Sequence, residues 1–281
     1  MTAMSQCPVF PLIFTDLDGT LLDHESYSAK PADLMIQRIT HHSLGSIIPI
    51  TSKTRAELRS LEQVLPISKT ISVTENGSVI HIPQGQLFEG ALGPQIILSG
   101  RRYAEIRDRM DALPPRLRQH ITGFADMTPA EIAQGTGLGM QEARLAKERE
   151  ASEPFLWSGT DTALKELGMI MADADIRIQR GGCFNHFTGN ATKARAMARI
   201  KASFVEHKPD CEIISIALGD GPNDLEMIEA ADFGVIMPNP GGVAICSSKS
   251  DVRMAPAPGP QGWVVAVREL FSELGIILSE C

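Results

Sequence analysis

The sequence predicts an α/β protein: a doubly wound, Rossmann-like parallel sheet whose chain is interrupted by a second, inserted α/β domain. Three observations lead to this. Strand-like apolar runs alternate with helix-like stretches from residue 9 to about 73, in the order β-α-β-α-β that a parallel sheet requires. The same alternation resumes after Asn190. Between them lies a more charged stretch with strands and helices of its own. The boundaries that follow are a core of residues 1–88 and 188–281, with an insertion of residues 89–187.

Taken in order, residues 9–14 are an apolar run broken only by Pro11, which reads as a buried strand. Two aspartates, Asp16 and Asp18, and a turn glycine, Gly19, follow it. Residues 31–44 carry Leu34, Ile36 and Ile39 and read as a helix that Gly45 ends. Residues 47–50 are a second short strand. Thr54 and Glu57 have the spacing of a capping box, so a helix should start there and stop at Pro66. Residues 70–73 are a third strand, closed by Glu75-Asn76-Gly77. Residues 79–82 and 86–88, around Pro83-Gln84-Gly85, read as a hairpin.

In the insertion, residues 96–98 are strand-like and 101–112 helical. Thr128-Pro129-Ala130-Glu131 marks another helix start, and a charged helix covers about 140–149. Residues 154–157, 176–179 and 183–187 read as short strands, with a helix from 160 to 167. Beyond Asn190, residues 191–205 form a helix rich in Ala, Lys and Arg, and 213–218 a strong strand. Gly219-Asp220-Gly221-Pro222-Asn223-Asp224 leads into a helix ending near Ala230. Residues 233–237 are a strand, 256–260 a proline-rich turn and 263–274 a terminal helix.

Composition limits the partners. The net charge is −8 and no basic stretch stands out, which argues against nucleic acid. The five cysteines are odd in number and scattered without a CxxC pair, as in a reducing compartment. No leader of basic then apolar residues opens the chain. No apolar run reaches the roughly 18 residues of a membrane helix. A cytoplasmic protein, monomeric or homodimeric, is expected.

The chemistry gathers at strand ends, where open α/β sheets bind ligands. Four clusters fall there: Asp16/Asp18, Thr51-Ser52-Lys53, Lys193 and Asp220/Asp224. Each has a bland reading alone: an acidic turn, a helix cap, a surface lysine, a helix start. Together they are the set that phosphoryl transfer needs. One carboxylate attacks phosphorus and a second moves protons, while a hard cation such as Mg²⁺ and fixed donors neutralise charge. No GxxxxGK[ST] loop is present to support an NTP-driven reaction.

With these residues in place, the chain resembles the phosphatases of the haloacid dehalogenase superfamily that carry an inserted α/β cap. The resemblance implies Asp16 as nucleophile and Asp18 as acid/base, with Thr51 and Lys193 on the phosphoryl group. It also implies Mg²⁺ held by Asp16, the Asp18 carbonyl and Asp220, with Asp224 in support. Ser52-Lys53-Thr54, Glu75-Asn76-Gly77, the Arg149 to Phe155 stretch and Gly181-Gly182-Cys183-Phe184-Asn185-His186 are similar to mannosyl-3-phosphoglycerate phosphatases. That likeness implies a phosphorylated glycoside as substrate, mannosyl-3-phosphoglycerate above all. Its binding residues would be Ser52, Lys53, Glu75, Asn76, Arg149, Glu153, Gly182 and Asn223. Cys183-Phe184-Asn185 departs from a bulkier triplet of the Arg-Phe-Tyr kind, which implies a pocket of different shape. Another sugar phosphatase, a phosphomutase or a non-catalytic binding module are the alternatives.

Overall fold

The computed structural model describes residues 7–278 except 64, 68, 182 and 183. The first stretch runs β1 (Val9–Thr15), α1 (Ala32–His41), β2 (Ser46–Pro49), α2 (Arg55–Leu61), β3 (Ser72–Thr74), β4 (Val79–Ile82), β5 (Leu87–Phe88), β6 (Ala91–Leu92) and β7 (Gln95–Leu98). Then follow α3 (Tyr103–Asp111), α4 (Pro115–Arg118), β8 (Ile121–Gly123), α5 (Pro129–Thr136), α6 (Met140–Ala146), β9 (Ser152–Trp157), α7 (Asp161–Ala172), β10 (Arg177–Gly181) and β11 (Phe184–Thr188). The chain closes with α8 (Lys193–His207), β12 (Glu212–Gly219), α9 (Leu225–Ala230), β13 (Phe233–Ile236), β14 (Arg253–Met254) and α10 (Gly259–Glu273).

The central sheet is parallel throughout, in the order β14-β13-β12-β1-β2. Both faces are covered, which is why β1 reads as a continuous apolar run rather than an alternating one. Ile13 packs with Met35, Ile36 and Ile39 of α1 and Trp263, Val267 and Leu270 of α10. Leu12 and Phe14 point the other way, to Met197 and Ile200 of α8 and Met227. Successive side chains of a strand alternate between faces, so one run feeds two core layers. Each such fully buried side chain contributes about 1.5–3 kcal/mol. The Trp263 indole donates to Thr15 Oγ1 at 3.1 Å, tying α10 to the end of β1.

The small antiparallel sheet β3-β4-β7 continues the central one through a bridge between Ile50 and Val73. Here the structure corrects the sequence reading. Residues 79–82 do not form a hairpin with 86–88; β4 pairs with β3 and β7, and β5 pairs with β6. All four residues of β4 are buried, so its backbone needs partners on both edges. Residues 95–98, read from the sequence as part of the insertion, thereby join the sheet next to the core. The helix that follows Pro222 starts at Leu225.

The inserted region holds an antiparallel sheet, β10-β11-β9-β8. Ile106 and Met110 of α3 and Leu167 and Met171 of α7 pack with Phe155 and Phe187, whose rings stack 4.1 Å apart. Gly100 and Gly189, which flank this stretch, touch. A Cβ on Gly189 would lie 2.3 Å from the Arg101 nitrogen and 2.5 Å from the Gly100 Cα. No side chain fits between the two segments here. No helix among the described residues is long and apolar enough to cross a membrane.

Candidate active site

The site is assembled where β1 and β12, neighbours in the sheet, both end. Asp16 follows β1, and its amide donates to Leu218 O of β12 at 3.0 Å. Asp220 follows β12. Between them stands Gly19 at φ +75°, where a Cβ would meet Asp220 Oδ2 at 2.7 Å. Glycine is required there twice over, for the left-handed turn and for the approach of the carboxylate. At Gly219 only the close approach matters: an added Cβ would lie 2.4 Å from the Asp224 Cβ.

Lys193 reaches this point from the first turn of α8, whose N-cap Thr192 accepts from the Arg195 amide. Its ammonium lies 2.6 Å from both Asp16 Oδ1 and Asp224 Oδ1. Asp224 Oδ2 accepts from the amides of Asp220 and Gly221. Asp220 accepts from Thr20 Oγ1 at 3.3 Å and from Asn239 Nδ2 at 2.6 Å. Asp16, Asp220 and Asp224 are all buried, with carboxylate oxygens within 4.8 Å of one another. Three carboxylates and one ammonium leave the cluster two negative charges in excess.

That excess shows in the acidities. Burial pushes the Asp16 carboxyl well above its ordinary range; Lys193 opposes this, and Asp224, Asp220 and Asp18 reinforce it. Asp220 is pushed up to about 6, by burial first and Asp224 second. Burial works against the Lys193 charge, yet Asp16 and Asp224 overcome it and keep the ammonium protonated. Carboxylates alone, without His or Cys, suit a hard divalent cation, whose charge matches the excess. The residues therefore fit a metal of that kind.

Asp18 stands apart from the cluster. Its Oδ2 pairs with Lys53 Nζ at 2.9 Å, while its Oδ1 is buried without a hydrogen-bond partner among the described residues. Burial opposes the Lys53 charge too, but Asp18 and Glu57 hold it protonated. Lys53 sits just before α2, whose Thr54 and Glu57 form the capping box that their spacing indicated.

The loops after β2 and β3 are laced together. Glu75 N donates to Lys53 O and Asn76 N to Thr51 O, while Thr51 Oγ1 accepts from Lys53 N. Glu75, Asn76 and Gly77 have φ of 53°, 58° and 98°. At Gly77 a Cβ would fall 2.3 Å from Thr192 O, so this turn abuts the start of α8. Asn76 Oδ1 accepts from Asn223 Nδ2 at 3.0 Å, and Asn76 Nδ2 is buried with no hydrogen-bond partner among the described residues.

The residues expected to bind substrate separate into two groups. Lys53, Asn76, Asn223 and the backbone of Ser52 border the core cluster. Arg149 joins them from the inserted region: its Nη1 donates to Ser52 O at 2.9 Å, and its buried Nε has no hydrogen-bond partner among the described residues. Glu75 and Glu153, by contrast, have their carboxylates taken up by the protein. Glu75 accepts from the Glu150 and Ala151 amides and Ser152 Oγ, at 2.7, 3.0 and 2.7 Å. Glu153 accepts from Tyr103 Oη, Arg107 Nη1 and the Ala125 amide, at 2.8, 3.0 and 3.0 Å. Both side chains are fully buried. Gly182 and Cys183 lie outside the described residues.

Sequence reasoning missed Asn239 and Thr20, which donate to Asp220, and the position of Tyr27 beside Lys53. Asn239 follows the end of β13, and the strand-end rule that found Asp16 and Asp220 would have found it. Tyr27, whose ring lies 5.4 Å from Lys53 Nζ, carries no such signal.

Comparison with known proteins agrees with this architecture. A family model described as haloacid dehalogenase-like hydrolase matches residues 161–242. A "glucosyl-3-phosphoglycerate/mannosyl-3-phosphoglycerate phosphatase" from Persephonella marina is 33% identical, over 94% of this chain and 98% of its own. One of the same name from Methanococcoides burtonii is 31% identical, over 93% and 97%. A haloalkanoate-superfamily phosphatase structure from Bacteroides thetaiotaomicron shares the fold, with a TM-score of 0.66 at 16% identity, covering 99% of both chains. The chain is a phosphoric monoester hydrolase of the haloacid dehalogenase superfamily and belongs to the family of these glucosyl-3-phosphoglycerate/mannosyl-3-phosphoglycerate phosphatases.

Proposed function

We propose that the protein hydrolyses mannosyl-3-phosphoglycerate to mannosylglycerate and phosphate in the cytoplasm. The carrying observation is the likeness over nearly the whole chain to two phosphatases named for both glucosyl- and mannosyl-3-phosphoglycerate, joined to Arg149, whose buried Nε–H has no partner among the described residues and whose Nη1 reaches Ser52 O. A guanidinium suits the glycerate carboxylate. We also place the cap between the touching glycines, at about residues 100–189.

In this reading Lys193 fixes one oxygen of Asp16, and the other attacks phosphorus. The bond from phosphorus to the glycerate oxygen breaks, and Asp18 gives the leaving alkoxide its proton. Asp18, again a carboxylate, then takes a proton from water, which displaces Asp16 and releases inorganic phosphate. Thr51 and Lys193 hold the phosphoryl oxygens. Mg²⁺, held by Asp16, the Asp18 carbonyl and Asp220 with Asp224 in support, would neutralise charge on those oxygens. Glu75 and Glu153 act here as positioning residues. Glu75 docks the segment carrying Arg149 onto the core, and Glu153 braces the cap interior.

Phosphate release from mannosyl- and glucosyl-3-phosphoglycerate, hexose 6-phosphates and acetyl phosphate tests the reading. Turnover should be highest on mannosyl-3-phosphoglycerate, with one phosphate per product. Preference for a hexose phosphate would overturn the substrate, and a phosphorylated sugar product would make the protein a mutase. Exhaustive chelation should stop turnover and Mg²⁺ restore it. Mg²⁺ should also raise the melting temperature of the wild type but not of Asp220→Asn. Full activity after chelation would remove the metal from the scheme.

A further inference from the structure

The loop leaving β1 is more elaborate than a connection to α1 requires. Asp23 N donates to Ser28 O and Tyr27 N to Asp23 O, closing the loop at both ends. The Asp23 carboxylate accepts from the Glu25 and Ser26 amides and from Ser26 Oγ, at 3.3, 2.8 and 2.7 Å. These bonds fix the loop tip, and at the tip stands Tyr27 with φ +54°. A bulky side chain rarely adopts that conformation, and such strain collects at ligand sites. The ring is not spent on the core, for Tyr27 is 41% exposed.

Its location is specific. Lys53 Nζ lies 5.4 Å from the ring centroid, and the same Nζ is 2.9 Å from Asp18 Oδ2. The aromatic ring therefore borders the carboxylate that faces the leaving group, and Lys53 steadies it by cation–π attraction. Glu142 of α6, across from the loop in the cap, is among the charges acting on its phenol. The other tyrosine, Tyr103, is committed to Glu153 inside the cap. Tyr27 alone offers a tyrosine ring at the mouth.

We propose that Tyr27 is a specificity-determining residue whose ring, backed by Lys53, stacks against the C–H face of the glycosyl ring of the substrate. The phosphoryl group and glycerate are recognised by charge, but a pyranose ring presents hydroxyls at its edge and an apolar face. A rigidly held aromatic ring complements that face. The proposal rests on the glycosyl phosphate reading above and adds the group that reads the sugar.

Tyr27→Asn removes the ring while keeping a residue tolerant of the left-handed backbone; Tyr27→Phe keeps the ring. Tyr27→Asn should raise KM for the glycosyl-3-phosphoglycerate about tenfold, with kcat within about twofold. Its kcat/KM on acetyl phosphate, which has no ring, should stay at the wild-type value. Tyr27→Phe should match wild type on both substrates. Equal losses on both substrates would overturn the proposal in favour of a role in holding Lys53 and Asp18. So would an unchanged KM, or a Tyr27→Phe loss as large as that of Tyr27→Asn. If the wild type cleaves hexose 6-phosphates and not glycosyl-3-phosphoglycerates, the substrate reading fails by itself. Tyr27 is then judged by the same three proteins on the hexose phosphate, where a KM effect upholds the stacking and its absence ends it.

Discussion

The core and the inserted region hold buried carboxylates in opposite ways. Around Asp16 three carboxylates share one lysine, and the protein leaves two negative charges uncompensated. Around Glu153 every oxygen is matched: Tyr103, Arg107 and the Ala125 amide surround it, and Arg107 also pairs with Asp126. A buried charge is tolerated when paired and costly when not. The unbalanced cluster therefore has charge left to offer a ligand, while the oxygens of the balanced one are already taken up by the protein. Both look alike in sequence, as acidic residues near strands; only the partners tell them apart.

The largest effect should come from the unbalanced side. Asp16→Asn removes the attacking charge at nearly constant shape. Turnover should fall on the order of 10³-fold or more, while the melting temperature holds or rises because like-charge repulsion is relieved. Retention of a tenth of the activity would break the comparison at its first term, since Asp16 would then be scaffold too.

Glu153→Ala tests the balanced side. It leaves Arg107 without its buried partner and should cost about 3 kcal/mol of stability, read by denaturant unfolding. The fraction of enzyme that stays folded should keep its kcat on acetyl phosphate. A selective loss of catalysis with unchanged stability would return Glu153 to the ligand-binding group.

Glu75 lies on the seam and sharpens the contrast. Glu75→Gln keeps the shape but replaces one carboxylate oxygen with an amide donor where the Glu150 and Ala151 amides and the Ser152 hydroxyl now donate. Docking of the Arg149 segment should weaken, lowering kcat/KM on the glycosyl substrate by roughly 10- to 100-fold, the effect of one unsatisfied buried group. Acetyl phosphate should be cleaved almost as before. Arg149→Ala should reproduce this pattern, and matching losses on both substrates would assign the pair to the core chemistry.

The smallest effect concerns His81, a core residue outside the site. It is buried in β4, with Nε2 3.0 Å from Thr74 Oγ1. Burial first, then the charges of Arg55 and Arg59, push its pKa down to about 3. Between about pH 6.5 and 3 the unfolded imidazole binds a proton that the folded one does not. Stability therefore falls as pH falls through that window, by about 1–2 kcal/mol at pH 5. His81→Asn should flatten this acid flank relative to wild type, measured by urea unfolding at pH 7 and pH 5. An unchanged slope would mean that the folded imidazole titrates normally.

The sequence by itself determined what is local. The apolar run into Asp16-Leu17-Asp18-Gly19, the Thr54–Glu57 capping box and the glycines beside Asp220 each express rules that act over a few residues. Strand-end position was enough to gather Asp16, Asp18, Lys193, Asp220 and Asp224 into one hypothesis. Tertiary structure alone decided which polar groups remain available. β4 chose β7 over the nearby residues 86–88, because a buried strand needs both edges satisfied. Glu75 spends its carboxylate on residues 75 to 77 positions away, and Tyr27 finds Lys53 across a loop. Hydrogen-bond partners and desolvation depend on distance in space, and no spacing along the chain encodes that distance.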